Sequence, residues 1–311
     1  MNIIGKRYWF FALSLLIIIP GMIILATSGF PLAIDFKGGS LLELEFVKGT
    51  VPSTEEVVAT YSSLDINEVQ VQNAKSKDGL DNILVIRSPF ISDEVKLQIV
   101  SKLEEAAPGA EIRVNRFDSV GPVIAGQVTR RAAIAVGIAA LAVVIYIIWA
   151  FRGIAHAFRY GICAILAMLH DILIVFSVTA IGSKLWGWQM DSLFLTALLT
   201  VIGFSVQDKI VVFDRIRENS ALLRRLPFET LVNHSIVQTL QRSINTQLMT
   251  VEFMLLSLAL LGGVTLREFA VILMIGLLSG TYSSIFIAAP LLVVWENQEW
   301  KTWFKKQPAN A

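Results

Sequence analysis

Long runs of apolar residues, separated by shorter polar segments, make up most of this chain. A hydrocarbon core of about 30 Å takes roughly 20 apolar residues in a helix, and several of these runs approach or reach that length. The predicted spans are Tyr8–Thr27, Ala132–Phe151, Phe158–Ile181, Ser192–Val212, Gln247–Gly263 and Phe269–Val294. The pattern therefore predicts an α-helical polytopic membrane protein with six transmembrane helices.

The segment between the first two spans follows a different pattern. Residues 41–47 alternate apolar and acidic side chains, which indicates a half-buried strand, and Ser53 followed by Glu56 is a capping box that begins a helix. Further strands and a second helix complete the order βαββαβ, which is typical of a ferredoxin-like α+β domain. The predicted divisions are 1–29 for the first helix, 30–125 for the α+β domain, 126–296 for helices two to six and 297–311 for a cytoplasmic tail.

Composition and charge agree with a membrane location. The chain is 55% hydrophobic and 16% charged, against roughly 25% charged in soluble domains, which excludes an ordinary soluble enzyme. Basic residues such as Lys6, Arg152 and Arg225 fall on one side if the helices alternate. The positive-inside tendency then predicts that both termini are cytoplasmic and that the α+β domain is extracytoplasmic. The one cysteine, Cys163, lies in a predicted span, so no intrachain disulfide is possible.

Ionisable residues within the spans are the candidates for chemistry. Each costs at least roughly 2.5–3.5 kcal/mol on insertion scales, so each is a functional candidate. Asp208 lies in the cytoplasmic third of the fourth span, His170 and Asp171 lie near the middle of the third, and Arg242 lies at the cytoplasmic start of the fifth. A carboxylate in such a site can change charge as water access changes, as a proton or sodium relay requires. Alternatively, Asp208 is a structural hydrogen-bonding group and Arg242 an interfacial anchor.

Two charged neighbours of these candidates have other expected roles. Adjacent helical side chains diverge by about 100°, so Lys209 is expected to face cytoplasmic water or headgroups rather than a shared cavity with Asp208. Glu252, in the predicted fifth span, is either an additional relay group or a partner of Arg242. An interfacial charge cluster is expected at the end of the fourth span: Asp214, Arg215, Arg217 and Glu218.

Glycine and serine suggest two further features. Asp35, Phe36, Gly38 and Gly39 belong to a motif that joins the first span to the α+β domain, where the glycines suit a hinge because they permit unusual backbone angles. Both glycines are expected to precede the first full strand. Small residues in the sixth span form a stripe that would let helices approach closely: Gly276, Ser279, Gly280, Ser283 and Ser284.

Three motifs carry a resemblance to a known family. They are Asp-Phe-Lys-Gly-Gly at 35–39, Val-Val-Phe-Asp-Arg-Ile-Arg-Glu-Asn at 211–219 and Thr-Leu-Gln-Arg-Ser-Ile-Asn-Thr at 239–246, together with the His-Asp pair at 170–171. In this order and spacing they resemble the SecF members of the SecD/SecF family of protein-export membrane subunits. One departure is Lys209, because a small hydroxyl residue often stands at that position in the family.

The resemblance implies a function and partners. It implies an RND-like subunit of the bacterial inner (plasma) membrane that uses the ion-motive force in late preprotein translocation. The implied partners are a SecD-like chain, the SecYEG channel, an unfolded preprotein client and membrane lipids, with no nucleic acid. No enzymatic activity, metal or cofactor is expected apart from the coupling ion, H⁺ or Na⁺. The alternative is an RND-like ion-coupled exporter of small molecules or lipids that acts as a dimer.

Overall fold

The computed structural model describes residues 2–74, 82–107, 109–152, 157–247, 253–262 and 264–301. The chain divides into two compact units. The helical unit comprises Met1–Phe30, Val136–Trp188 and Leu193–Ala311, and the sheet unit comprises Pro31–Ala135 and Gln189–Ser192.

The helices and strands follow one another in a simple order. The first part of the chain contains α1 (Arg7–Ser28), α2 (Ile34–Lys37), β1 (Gly39–Lys48), α3 (Thr54–Ser62), β2 (Gln70–Ala74), β3 (Ile83–Ser88), α4 (Asp93–Ala106) and β4 (Glu111–Val120). The second part contains α5 (Pro122–Ala150), α6 (Ala157–Trp186), α7 (Ser192–Leu222), α8 (Phe228–Gln247), α9 (Phe253–Leu261), α10 (Val264–Ser283), a π-helical turn at Ser284–Ala288 and α11 (Ala289–Glu296).

The sheet unit is built on four strands in the order β2-β3-β1-β4, and all neighbouring strands are antiparallel. The predicted capping box is confirmed, because Ser53 and Glu56 exchange both of its hydrogen bonds at the start of α3. Alternation along β1 buries Leu42, Leu44 and Phe46. These side chains join a core with residues of α3, β3 and α4, so the predicted inward face of β1 is confirmed.

Five helices in the described part of the chain are long and apolar enough to span a membrane. They are Ile4–Ser28, Pro122–Ala150, Ala157–Trp186, Ser192–Leu222 and Leu266–Glu296. The predicted span Gln247–Gly263 has no match among them. Its described portion contains α9, which has only 9 residues, and Glu252 lies outside the described residues.

The segment that follows the predicted fourth span is largely helical. Helix α7 continues past Val212 to Leu222, and α8 occupies most of the polar stretch that follows. Phe213, Ile216 and Asn219 recur at three-residue spacing on one buried face of α7. Asn219 Nδ2 donates to Ser235 Oγ of α8 at 2.8 Å. Packing between α7 and α8 therefore extends the helical unit beyond the predicted span.

Small residues bring the helices of this unit close together, as the stripe in the sixth predicted span suggests. A Cβ atom on Gly276 would lie 2.3 Å from Val201 Cγ2, and one on Gly280 would lie 3.3 Å from the Cα atom of Ser205. Helix α10 then passes into the π-helical turn that precedes Pro290. Proline has no backbone N–H to donate to the preceding turn, so a local change in helical hydrogen bonding is expected there.

Candidate functional site

A buried carboxylate lies at the centre of the candidate site. Asp171 on α6 is 0% exposed, and it accepts hydrogen bonds from three serine hydroxyls. Ser205 Oγ of α7 donates to Oδ2 at 2.6 Å, Ser279 Oγ donates to Oδ1 at 2.7 Å and Ser283 Oγ donates to Oδ2 at 2.6 Å. Ser279 and Ser283 are four residues apart on α10, so one helix face presents both. We call Asp171 with these three serines the Asp171 cradle.

Lys209 is the partner of this carboxylate. Its Nζ lies 2.7 Å from Asp171 Oδ2 and 3.2 Å from the carbonyl oxygen of Ser205, and it also contacts Ser205 Oγ. The side chain is 0% exposed. The expectation that Lys209 faces water or headgroups is therefore wrong. Ser205 and Lys209 share the face of α7 that meets α6, where a buried ammonium is tolerable because a carboxylate and further hydrogen bonds compensate its lost hydration.

His170 contacts the same acid. Its Nδ1 lies 3.0 Å from Asp171 Oδ1, although adjacent helical residues start about 100° apart. The ring stacks on Tyr282, with 6.2 Å between ring centroids. The other ring nitrogen, Nε2, is buried and has no hydrogen-bond partner among the described residues. The structure thus brings together two of the four predicted relay residues, His170 and Asp171.

Asp208 lies in a separate, more open environment. Ser243 Oγ of α8 donates to Asp208 Oδ1 at 2.9 Å, and Ser284 Oγ of the π-helical turn donates to Oδ2 at 2.5 Å. Asp208 is half-buried. It lines a small pocket with Arg242, the remaining predicted relay residue, together with Ser243 and Gln247. The structure therefore places the second pair of predicted relay residues around one pocket.

The two acidic sites are neighbours through consecutive residues. Asp208 and Lys209 are adjacent on α7, and Ser283 and Ser284, which donate to Asp171 and Asp208 respectively, are adjacent at the end of α10. The two sites differ chemically. Asp171 is enclosed and paired with an ammonium, whereas Asp208 is half-buried and lines a small pocket. Within the described residues, no three His, Cys, Asp or Glu side chains are grouped as a polydentate metal site would require.

The predicted interfacial charges pair with one another on α7. Arg217 lies 2.6 Å from Asp214, and Arg215 lies 2.5 Å from Glu218. Arg215 Nε also donates to Gln238 of α8 at 2.7 Å. None of these four predicted residues is among the groups bonded to Asp171 or Asp208 in the described structure.

The Asp-Phe-Lys-Gly-Gly motif is anchored within the sheet unit. Asp35 Oδ2 accepts from the backbone N of Ser192 at 2.8 Å and from its Oγ at 2.5 Å. The carbonyl oxygen of Phe36 accepts from Thr129 Oγ1 at 3.0 Å. Asp35 therefore caps the first residue of α7, because a side-chain oxygen that accepts from an N-terminal N–H satisfies one of the unpaired donors of a helix.

The two glycines of the motif differ in position. Gly38 ends α2 with φ +80°. Gly39 is the first residue of β1, pairs with Val120 and has φ +124°. A Cβ atom on Gly39 would lie 2.6 Å from the carbonyl oxygen of Ser88. The expectation that both glycines precede the first full strand is therefore wrong for Gly39.

Most of the groups that hold the acids have no expected chemical role in the sequence. The pattern marks Ser279, Ser283 and Ser284 only as small packing residues, and it does not distinguish Ser205 or Ser243. A usable signal exists, because hydroxyls at four-residue spacing in an apolar helix are suited to bond a buried acid on a neighbouring helix. Ser279 and Ser283 have that spacing in α10.

Membrane-length helices with two carboxylates held by serine hydroxyls, together with a small α+β unit, are typical of a polytopic membrane protein with ionisable groups between its helices. Comparison with known proteins identifies its family. The chain belongs to the SecD/SecF family. The family model described as "Protein export membrane protein SecD/SecF, C-terminal" matches residues 98–298, and the "SecD/SecF GG Motif" model matches residues 23–50.

Individual relatives agree with this assignment. The chain is 62% identical to the protein translocase subunit SecF of Anaerolinea thermophila, with all of both chains covered. It is 44% identical to the subunit of that name from Thermobaculum terrenum, covering 100% of this chain and 99% of the other. The crystal structure of SecDF from Thermus thermophilus, a translocon-associated membrane protein, matches with a TM-score of 0.81 and 32% identity. That match covers 96% of this chain and 39% of the longer protein.

Proposed function

We propose that this chain is a non-enzymatic subunit of the Sec translocase that uses the ion-motive force to drive late preprotein translocation. The relatives named above are protein translocase subunits, which favours this function over an exporter of small molecules or lipids. The proposed partners are a SecD-like chain, the SecYEG channel, the unfolded preprotein and the surrounding lipid.

The length of one relative supports the SecD-like partner. The chain covers 39% of the Thermus thermophilus protein, whose name, SecDF, joins both subunits. A separate SecD-like chain would supply the remainder of such an assembly.

The observation that carries ion coupling is the environment of Asp208. The carboxylate is half-buried between helices of a membrane protein, and it borders a pocket that Arg242 also lines. Ser243 and Ser284 hold both of its oxygens in place. One charge that crosses the membrane yields about 2.3 kcal/mol per 100 mV. Binding and release of H⁺ or Na⁺ at Asp208 would let the protein use that energy to change its conformation.

The contacts at the two ends of the helical unit support the proposed topology. Arg7 at the start of α1 lies 2.5 Å from Glu299, which follows α11. Ends that lie together require an even number of crossings, and the five spans above are an odd number. Helix α8 is suited to begin the additional crossing, which would be the fifth in chain order. Glu229 in its first turn lies 3.3 Å from Arg7 at one end of the helical unit, and Ser243 further along α8 donates to Asp208.

The remaining details of the proposal follow from this topology. We place both ends in the cytoplasm of a bacterial cell, the helices in its inner membrane and the sheet unit on the outer side, in keeping with the distribution of basic residues. The strand order β2-β3-β1-β4 supports a ferredoxin-like arrangement of the sheet unit.

The test is export in cells that depend on this copy of the gene. Asp208→Asn keeps the shape of the side chain and removes its titration, so ion-dependent stimulation of export should fall to the level of cells without the protein. Asp214→Asn, six residues further along α7 and on its exposed surface, is the matched control and should export normally. Both variants should insert and assemble with the partner chain to the same extent as the wild type.

Arg242→Ala separates the two interpretations of that residue. Reduced export with normal abundance and topology supports a role for Arg242 beside Asp208, whereas a change in topology alone supports an anchor. Normal ionophore-sensitive export in the Asp208→Asn strain would reject Asp208 as the coupling residue.

A further inference from the structure

We propose that the Asp171 cradle is a monovalent-cation site whose resident cation is the ammonium of Lys209. In this view Lys209 is a tethered substitute for a free ion, and it excludes sodium from the cradle. The inference concerns a site other than the Asp208 pocket, and only its consequence for coupling rests on the proposed function.

The groups around the ammonium are those that bind a hard cation. Lys209 Nζ meets a carboxylate oxygen of Asp171, the backbone carbonyl oxygen of Ser205 and the hydroxyl oxygen of Ser205. Carboxylate and carbonyl oxygens are the usual ligands of hard cations such as Ca²⁺ and Mg²⁺, and backbone carbonyl oxygens coordinate Na⁺ in membrane transporters. Ser283 Oγ lies 2.6 Å from the same Asp171 oxygen, so a further hydroxyl is bonded to the carboxylate that holds the ammonium.

The charge balance of the cradle requires a cation. Asp171 and Lys209 are both 0% exposed, and a buried charge that loses its partner is strongly disfavoured. His170 is the other titratable group in contact with Asp171, and Asp208 is the next acid along α7. If the ammonium were removed, Asp171 would have to take up a proton or a cation, or His170 beside it would have to become charged. The three serine hydroxyls would remain to bind a cation.

If Lys209 occupies the cradle, Asp171 and Asp208 have different roles in ion coupling. With the cradle occupied by a side chain, free sodium has no place at Asp171. Exchange of the coupling ion is then confined to Asp208, which borders the open pocket.

The test measures the thermal stability of the purified full-length protein in detergent, in choline chloride and in sodium chloride at equal ionic strength. The cradle of the wild type should not respond to sodium, so any difference in wild-type Tm between the two salts should persist in Asp171→Asn, because it would report binding at Asp208. Lys209→Ala removes the ammonium and leaves the cradle empty. Its Tm should therefore rise by several degrees with sodium, and the rise should saturate. The reason is that a ligand that binds only the folded state stabilises that state. Adding Asp171→Asn to Lys209→Ala should remove the sodium response.

A volume-conserving control distinguishes the effect of an empty cradle from the effect of losing the positive charge of Lys209. Lys209→Met removes the ammonium but fills the space, so it should show no sodium response. If Lys209→Ala does not fold in choline chloride, recovery by sodium supports the proposal, and Lys209→Ser is then measured in the same way.

Three results would overturn the inference. In the first, the wild type shows a saturable sodium response that Asp171→Asn removes. In the second, Lys209→Ala folds but shows no sodium response. In the third, neither Lys209→Ala nor Lys209→Ser folds in sodium chloride. Since the measurement does not involve export, the cradle can fail this test while Asp208 retains its proposed role. Likewise, Asp208 can fail the export test while the cradle binds sodium as expected.

Discussion

Gly39 packs directly against the carbonyl group of Ser88, so closely that a Cβ atom at position 39 would lie 2.6 Å from the carbonyl oxygen. Its φ of +124° is also one that other residues rarely adopt. Gly39→Ala should therefore destabilise the sheet unit by about 1–3 kcal/mol, the usual cost of such backbone strain. The measurement is the apparent Tm of the purified protein in detergent.

Gly126→Ala is the control for this substitution. Gly126 lies in α5 with open space around its Cα atom, and alanine is favoured over glycine inside a helix by roughly 0.5–1 kcal/mol. Its Tm should stay the same or rise. If Gly39→Ala kept the wild-type Tm and blocked export, Gly39 would act as a hinge rather than as a packing residue.

Asp35 should stabilise the segment that begins α7. Asp35→Ala removes the acceptor for both donors of Ser192, and loss of a helix cap costs about 0.5–2 kcal/mol. Asp35→Asn retains one oxygen acceptor and should lose less. Hydrogen exchange at the amide of Ser192 is the direct measurement, and it should accelerate in the alanine variant much more than in the asparagine variant. Equal exchange in both variants and the wild type would show that Asp35 does not cap this helix.

The sequence was sufficient to find the acids within the apolar runs but not their partners. Asp171 and Asp208 are conspicuous because an ionisable residue in an apolar run is expensive. Their donors come from other helices, and Ser283 is 112 residues from Asp171 along the chain. Helix geometry predicts that Asp208 and Lys209 point in different directions, but which helix each one faces depends on packing. The structure turns Lys209 toward α6 and Asp208 toward α8.

Strand boundaries show the same limit in the sheet unit. The alternation around Leu42 and Leu44 predicted the buried face of β1, since side chains in a strand alternate between its two faces. Glycine carries no such pattern, so the start of β1 at Gly39 was not visible. That boundary is set by pairing with Val120 and by the close approach to Ser88, both of which are distant in the sequence.

Close packing in the helical unit predicts that alanine substitutions at two glycines affect the stability of the protein differently. Gly276→Ala places a Cβ atom 2.3 Å from Val201 Cγ2, whereas Gly203 has open space around it. Overpacking a well-packed helix contact costs about 1–3 kcal/mol. The apparent Tm of Gly276→Ala should therefore fall, while that of Gly203→Ala should not. A combined Gly276→Ala and Val201→Ala variant should recover part of the loss, and no recovery would mean that the contact with Val201 is not the cause.

Glu299 should stabilise the helical unit in a pH-dependent way. It accepts from Arg7 Nη2 at 2.5 Å and from the hydroxyl of Tyr8 at 2.6 Å. Burial alone would raise the pKa of Glu299, but the hydrogen bonds from Tyr8 and Arg7 and the charge of Arg7 outweigh it and hold the pKa below the ordinary value of 4.5. A carboxyl group with a lowered pKa contributes stability above its unfolded pKa, and that contribution is lost as the pH falls through the folded value.

Glu299→Gln should accordingly lower the stability by about 1.5–3 kcal/mol at pH 7, the range for hydrogen bonds to charged groups. The gap in Tm between this variant and the wild type should be constant from pH 7 to about pH 5 and should narrow as the pH falls below 4.5. Glu104→Gln, an exposed acid on α4, controls for the loss of one negative charge and should match the wild type at neutral pH. A gap between Glu299→Gln and the wild type that widened in acid would contradict the lowered pKa, because it would mean that protonation of Glu299 stabilises the folded protein.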